Sequence, residues 1–336
     1  MTNYFCYLQR QAVDDFLKYN ALGDWATVGQ TTPVSLTADA YYYLDAQICA
    51  QAAALLGKTG EAATFNQLAT NIAAAFNRTY SSATNGWYAN GSQTAQAMPL
   101  ALGIVPSNDQ ATVLSNLVAN VNANGLSFGE IGHPYVLRAL AGSGRSDVVF
   151  KLHSDPTKPG YGYMLNKGAT ALTESWNAEG NSQDHFMLGH IIEWFYHDLA
   201  GIQWDPAAPG YQNIIIKPAF VGNITWVKTS YNSVRGMIVS DWTLTNNAAT
   251  LEVEIPAGST SQVWLPLVGK VGPHLTVTES GKPIWQNGAA TGSVHGVAFN
   301  RVQSTGTQTY LVWSVGSGSY QFAWDASPIS AGIRDP

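Results

Sequence analysis

Apolar positions recur with a helical period through the first two thirds of the chain and with a period of two through the last third. "TADAYYYLDAQICAQAAALLGK" opens on Thr37 as a cap and stops at Gly57. It is apolar nearly all round, which predicts an inner, buried helix. "EAATFNQLATNIAAAFNRTY" puts Phe65, Leu68, Ile72 and Phe76 on one face. "SNDQATVLSNLVANV" begins with a Ser/Asn cap and aligns Val113, Leu117 and Val121 at four-residue steps. "IGHPYVLRALAGSG" and "DHFMLGHIIEWFYHDLAG" read as two more helices with glycine stops, and "LQRQAVDDFLKYN" as an amphipathic helix near the start. Polar loops rich in Gly, Asn and aromatic residues lie between them. Paired helices with long loops at one end predict a helical barrel or toroid whose functional groups sit on the loops.

After "AGIQWDPAAPGYQ" the pattern changes. "LEVEIP" alternates Leu251, Val253 and Ile255 with Glu252 and Glu254. "ITWVKTSY", "GMIVSDWTL", "SQVWLPL" and "TYLVWSV" read as further strands joined by Asn- and Gly-containing turns. The expected fold is therefore multidomain, α then β: helices over 1–203 and an antiparallel β-sandwich over 204–336, with the boundary in the Pro/Gly segment near 205–210.

Composition narrows the partners. Of 336 residues, 46% are hydrophobic, enough for two cores, but only 11% are charged, so the polar surface must come from Ser, Thr, Asn, Gln and Gly. A net charge of −6 without a basic stripe argues against nucleic acid as a partner. No stretch approaches the roughly 18 apolar residues of a membrane span, and the start lacks the charged-then-apolar pattern of a signal peptide. Cys6 and Cys49 give no metal spacing or disulfide framework, and both are expected to be free and buried. Asn77, Asn90 and Asn223 open N-x-Ser/Thr triplets. Eleven Trp and sixteen Tyr provide many rings able to stack on sugars, although core packing accounts for most rings in any fold.

Chemistry concentrates in "GATALTESWNAEGNSQDHF", residues 168–186, where Glu174, Glu179, Asp184, His185 and Trp176 crowd a chain otherwise poor in charge. Taken alone, Glu174 reads either as a reactive carboxylate or as a solvated loop or capping residue. His185 reads as a hydroxyl ligand or as a histidine satisfied at a helix start. Asp24 and Trp25, in "GDW", read as a carboxylate and a ring for a sugar, or as an N-cap beside a core tryptophan. Trp176 is a pocket wall or a core residue. His133, before Pro134, lies where the chain enters a helix. Glu193 and Trp194, one turn inside a helix, read as structural.

The ordered set "GDWATVGQTTPVSLTADAYYY", "GSQTAQAMPLALGIVP", "GEIGHPYVLRALAGSGRSDVVF", "GYGYMLNKGATALTESW" and "HFMLGHIIEWFYHDLAGI" closely resembles the C-terminal half of the catalytic domain of α-L-rhamnosidases, glycoside hydrolase family 78. The region after it is similar to the sandwich that closes those enzymes. The resemblance implies a partial (α/α)6 barrel followed by the sandwich, inverting hydrolysis of terminal α-L-rhamnosides, a rhamnose-containing carbohydrate as partner, and neither cofactor nor metal in the chemistry. It implies that Glu174 is the general base, that His185 contacts sugar hydroxyls, and that Asp24 and Trp25 line the substrate; His133 and Trp176 are the further candidates for the substrate pocket, with core packing as the alternative. Asp184 stands where close relatives often carry Asn. For full-length relatives the resemblance implies an extracellular or periplasmic location, and the location of this chain stays open.

Inverting hydrolysis needs a second, protonated carboxyl roughly 6.5 to 9.5 Å from the base. In the family it lies in an acidic motif well upstream of "GDW", and nothing before Gly23 resembles that motif. The expectation is a fragment lacking the acid, with unburied half-barrel faces open to association. Glu130 and Glu179 are the other carboxyls able to give a proton. Two further readings stay open: a non-catalytic sugar-binding or complementing chain, and a polysaccharide lyase on a similar toroid. A lyase needs cationic groups to neutralise a uronate, and Lys167 is the single basic residue near Glu174 in sequence.

Overall fold

The computed structural model describes residues 2–14, 16–17, 22–179, 182–246, 248–267, 275–292, 294–306 and 308–325. Its contacts divide the chain into two compact units. Unit 1 comprises Met1–Gly142 and Lys151–His190; unit 2 comprises Ser143–Phe150 and Ile191–Pro336. A short helical segment and the last helical turns thus group with the strands, and strand structure already begins at Ile202. No helix among the described residues is long and apolar enough to cross a membrane.

In unit 1 the helices are α1 (Thr2–Gln11), α2 (Val34–Leu55), α3 (Thr59–Tyr80), α4 (Gln93–Ala101), α5 (Gln110–Asn124) and α6 (Gly132–Gly142). Further along the chain come α7 (Ser146–Ser154), α8 (Tyr161–Asn166) and α9 (Ile191–Trp194). α2 packs along α3, and α4 packs on both α5 and α6. The α2–α3 hairpin turns at Gly57, whose φ of 69° is the left-handed value expected of a glycine after a helix. α5 buries Val113, Leu117 and Val121, the predicted row. α3 buries Ala62, Ala69, Ile72, Ala75 and Phe76, so Phe65 and Leu68 stand at the margin of the predicted face.

Four local expectations are corrected. The early helix ends at Gln11, and Ala12–Val13 pairs antiparallel with Phe16–Leu17 around Asp14, whose φ of 54° no helix tolerates. The remainder of that predicted helix, residues 18–20, lies outside the described residues. α2 starts at Val34, and Thr37, already inside it, bonds back to the Val34 carbonyl at 2.8 Å instead of capping. α2 is not buried all round, since Ile48 and Leu55 are exposed. The predicted helix 184–201 is broken into a 3₁₀ turn at Phe186–Leu188, α9, and a π turn at Phe195–Leu199.

Unit 2 holds two sheets. The larger runs Ala289–Ala290, Lys282–Gln286, Val277–Glu279, Gly318–Asp325, Ala248–Ile255, Gly236–Leu244, Trp226–Val227, with Ser230–Ser233 also paired to Gly236–Leu244. The smaller runs Val297–Thr305, Gln308–Val315, Thr260–Leu267, Asn213–Ile216, Ile202–Trp204. Leu251, Val253 and Ile255 point inward and Glu252 and Glu254 outward, as the alternation requires. The core between the sheets is aromatic: Trp324 Nε1 donates to the Pro266 carbonyl at 3.0 Å, and Trp242, Trp313 and Phe322 are buried. Among the described residues all pairings are antiparallel except one. Asn213–Ile216 runs parallel to Thr260–Val263, a departure from the wholly antiparallel expectation.

Candidate active site

Glu130 stands at the centre of the site, on the loop that leads into α6. Several groups fix this loop. Gln93 donates to the Gly125 carbonyl at 2.6 Å and accepts from the Ser127 amide at 2.9 Å. Val28 donates to the Ser127 carbonyl at 3.1 Å, and Glu130 itself donates its amide to the Trp25 carbonyl at 2.8 Å. Asp24 completes the clamp. Its carboxylate accepts from the amides of Gly129 (3.0 Å) and Gly132 (2.9 Å), from the Ile131 amide, and from the Thr94 hydroxyl.

Through these bonds Asp24 braces the loop carrying Glu130. Burial pushes its pKa up, while the Thr94, Gly129, Gly132 and Ile131 donors pull it down. The fit is tight. A Cβ on Gly129 would meet the Trp25 carbonyl oxygen at 1.7 Å, and one on Gly132 would meet Thr94 Oγ1 at 2.0 Å. The Trp25 ring is 55% exposed, free to stack on a ligand.

The second contributor is the loop 168–186. His185 donates its amide to the Leu172 carbonyl at 2.8 Å. Glu174 and Ser182 are joined twice: the Glu174 amide donates to the Ser182 carbonyl at 3.0 Å, and the Ser182 amide donates to Glu174 Oε2 at 2.9 Å. Glu174 is half-buried. These bonds fold the loop on itself and bring its two ends, with Glu174 and His185, to the same place. Glu130 Oε1 lies 3.6 Å from His185 Nδ1. Burial raises the Glu130 pKa, His185 lowers it, and the charges of Glu174 and Asp24 raise it again. This one carboxyl thus feels the charges of His185, Glu174 and Asp24, with His185 in direct reach.

His133 and Trp176 do not line an open pocket. Both are fully buried. They belong to a cluster beneath the site in which His133 stacks on Phe128 (5.5 Å, 9°) and meets Trp176 edge-on at 5.1 Å. His153 (5.3 Å), His190 (5.6 Å) and Tyr161 (6.0 Å) complete the contacts of His133. Burial drives the His133 pKa far down, helped by the charges of His153 and His190, and drives His153 down to about 3. Both rings are neutral at pH 7. The physical reason for the discrepancy is that an aromatic ring or imidazole next to a reactive loop serves equally well as its floor. Lys167 pairs with Glu179 at 3.7 Å and lies over the Tyr163 ring at 5.3 Å. Glu193 and Trp194 lie on α9 in unit 2, where Trp194 Nε1 donates to Ser146 Oγ at 3.1 Å, a structural bond.

A family model described as the bacterial α-L-rhamnosidase six-hairpin glycosidase domain matches residues 1–199, and one for the bacterial α-L-rhamnosidase C-terminal domain matches residues 201–274. The chain belongs to the bacterial α-L-rhamnosidase family. Its helical unit is thus part of a six-hairpin α/α toroid, and its sheets are the sandwich that accompanies it.

Among curated relatives, the α-L-rhamnosidase of Streptomyces avermitilis is 30% identical over 272 residues, which is 77% of this chain and 26% of that protein. One from Formosa agariphila is 29% identical over 280 residues, 75% of this chain and 29% of that protein. Among solved structures, the α-L-rhamnosidase of Dictyoglumus thermophilum superposes with a TM-score of 0.84 at 28% identity, covering 96% of this chain and 36% of the other. The S. avermitilis enzyme complexed with L-rhamnose gives 0.83 at 28% identity, covering 96% and 30%. The 336 residues therefore span about a third or less of the length of these rhamnosidases.

Glu130, which the motif reading enters only as a spare proton donor, is the carboxyl that His185 approaches in the structure. The signal for it was local: a lone acidic residue between two glycines, "FGEIGH", in a chain short of charge.

Proposed function

We propose that unit 1 carries the water-activating part of an α-L-rhamnosidase site, with Glu174 as general base, His185 on the sugar hydroxyls and Trp25 stacked on the sugar face. The observation behind this reading is that His185, from the loop that also carries Glu174, comes within 3.6 Å of Glu130, whose own loop is clamped by Asp24 from more than a hundred residues earlier in the sequence. Glu174 has one oxygen held by the Ser182 amide. That hydrogen bond orients the carboxylate and leaves the other oxygen to take a proton from water. The water oxygen then bonds to the anomeric carbon as the glycosidic C–O bond breaks, and the leaving oxygen takes a proton from an acid or departs as an anion.

No residue before Gly23 sits in a motif like that of the family's acid. Protonation of the leaving group is worth roughly 10²–10⁴-fold. Natural rhamnosides, with poor leaving alcohols, are expected to be turned over hardly or not at all by this chain. An aryl rhamnoside, which leaves as a stabilised phenolate, is expected to show trace hydrolysis. Glu174→Gln keeps the shape and removes the base, so the trace should vanish. Hydrolysis of the aryl substrate that survives this substitution would refute the assignment. Full-strength hydrolysis of a natural rhamnoside would move the acid role to Glu130 or Glu179.

The exposed apolar side chains Tyr4, Tyr7, Ile48 and Leu55 support association through the helical faces as part of the same proposal. A monomer by sedimentation at micromolar concentration would exclude it.

A further inference from the structure

Glu130 and His185 form a pair that neither the motif nor the proposed hydrolysis assigns. The Glu130 side chain is 9% exposed and that of His185 is 27% exposed. The two facing atoms, Glu130 Oε1 and His185 Nδ1, are both buried, lie 3.6 Å apart, and have no hydrogen-bond partner among the described residues. A buried acceptor and a buried ring nitrogen left without partners each carry a desolvation cost that one short bond between them removes. The exposure of the His185 side chain falls on atoms other than Nδ1.

Both residues are held from behind. The Glu130 amide is tied to the Trp25 carbonyl, and its neighbours Gly129 and Gly132 are tied to Asp24. The His185 amide is tied to the Leu172 carbonyl. Closing the remaining gap needs a movement of about half an ångström, well within a side-chain adjustment. The charged groups facing Glu130 are His185, Glu174 and Asp24. Of these, Asp24 is held by the Thr94 hydroxyl and the Gly129 and Gly132 amides, and Asp24 and Glu174 are like charges. That leaves His185 as the donor facing the carboxylate.

We propose that Glu130 is a positioning residue that holds His185 in the tautomer with its proton on Nδ1, so that Nε2 faces outward as a hydrogen-bond acceptor. A neutral imidazole donates from one nitrogen and accepts at the other, and the group bound to the first nitrogen decides which. In the absence of such a partner the Nε2–H form is the ordinary one. With Glu130 in place, His185 presents an acceptor to the O–H of a ligand. The ligand class is a vicinal diol of a sugar, and this part rests on the rhamnosidase reading given above.

The test uses the full chain and nitrogen-15 labelled histidine, with the His185 signals assigned by their loss in His185→Gln. In the wild type at neutral pH the long-range ¹⁵N–¹H correlation pattern should be that of an Nδ1–H ring. Glu130→Gln keeps a carbonyl acceptor and should keep that pattern. Glu130→Leu removes the acceptor and should convert His185 to Nε2–H, while the other six histidines keep their signals. An Nε2–H ring in the wild type, or an unchanged pattern in Glu130→Leu, would overturn the pairing. If Glu130→Leu fails to fold, Glu130→Gln still decides: loss of the Nδ1–H pattern with an acceptor retained refutes it.

The sugar arm is read separately by L-rhamnose binding. The Glu130→Leu affinity should fall about tenfold, equivalent to roughly 1.4 kcal/mol, while Glu130→Gln should stay within a factor of about three. Equal affinity in wild type and Glu130→Leu would sink the outward-acceptor role. Absence of any L-rhamnose binding by the wild type would sink the rhamnosidase reading of this site, and the tautomer result would still stand or fall by itself.

Discussion

The carbonyl of Trp25 accepts the amide of Glu130 at 2.8 Å, so an exposed ring and a buried carboxyl are fastened to one another through the backbone, 105 positions apart in the chain. Neither the ring nor the carboxyl chooses its place independently. Their side chains diverge to opposite depths from a single peptide contact, and Asp24 locks that contact from the other side.

Asp24→Ala strips the clamp and strands the amides of Gly129, Ile131 and Gly132. Each backbone donor that loses a charged partner costs about 1–3 kcal/mol, partly recovered where water enters. A net loss of roughly 2–4 kcal/mol is expected in urea unfolding monitored by tryptophan fluorescence. A change under about 0.5 kcal/mol would mean that the loop holds itself.

Gly129→Ala brings a Cβ to 1.7 Å from the Trp25 oxygen, a backbone atom that cannot swing aside. The loop must open, so the substitution should cost at least about 3 kcal/mol and abolish the Glu174-dependent trace of aryl rhamnoside hydrolysis. Gly60→Ala is the control. It lies in the first turn of α3 with nothing within 4 Å of the added carbon. It should be neutral or stabilise by up to about 1 kcal/mol. A Gly129→Ala protein as stable as wild type would refute the packing described here.

Acid should destabilise unit 1 through its buried histidines. His153 titrates at about 3 in the folded protein and near 6.5 when unfolded, and the His133 pKa is likewise lowered. Between these values the unfolded chain binds protons that the folded chain refuses. Stability is therefore complete above pH 6.5 and falls as the pH drops toward 3, by up to about 1.4 kcal/mol per pH unit for each such histidine. Asp24 and Glu130, whose pKa values are raised, act in the opposite sense, since the folded state keeps their protons at a pH where the unfolded chain has lost them. The histidine share is isolated by comparing wild type with His153→Phe. The variant should lose less stability between pH 6.5 and 5 by about one histidine's contribution, and parallel curves would exclude it.

The two thiols should react at very different rates. Cys6 is exposed and Cys49 is buried, with burial and the nearby Asp45 charge raising the Cys49 pKa. Only thiolate reacts quickly. One fast equivalent of a disulfide reagent is expected at pH 8, absent in Cys6→Ser. Two equally fast equivalents would contradict the burial. The expectation that both cysteines are buried fails at Cys6 because α1 presents that position to solvent.

Elements with a regular period were legible in the residues. The Val113–Leu117–Val121 row and the Leu251–Val253–Ile255 alternation appear in the structure as buried faces, because each side chain there answers to its own element. α4 was missed as a helix: it carries Pro99 and buries Gln93, Thr94 and Gln96, so its pattern does not separate polar from apolar. Gln96 is buried because it accepts from the Tyr88 amide at 2.7 Å, a partner that no sequence period displays. The same blindness affects the site. The spacing of residues cannot tell that Asp24 spends its oxygens on backbone amides, or that His133 and Trp176 lie beneath the loop they border. Asn77, one of the three N-x-Ser/Thr positions, likewise has its side-chain amide donated to the Ala73 and Ile104 carbonyls at 2.9 Å.

The single parallel pairing in the smaller sheet sets an order on synthesis. Asn213–Ile216 can lay itself beside Thr260–Val263 only after the ribosome has made the latter. In the interval the chain has already released Trp226–Val227, Ser230–Ser233, Gly236–Leu244 and Ala248–Ile255, neighbours in the larger sheet that pair by short connections. A nascent chain paused before residue 260 therefore holds a hairpin-built core and an apolar strand, "NIII", paired along one edge with Ile202–Trp204 and open along the other. Slow translation over that interval would lengthen the exposure of this strand, and with it the window in which a chaperone must shield it.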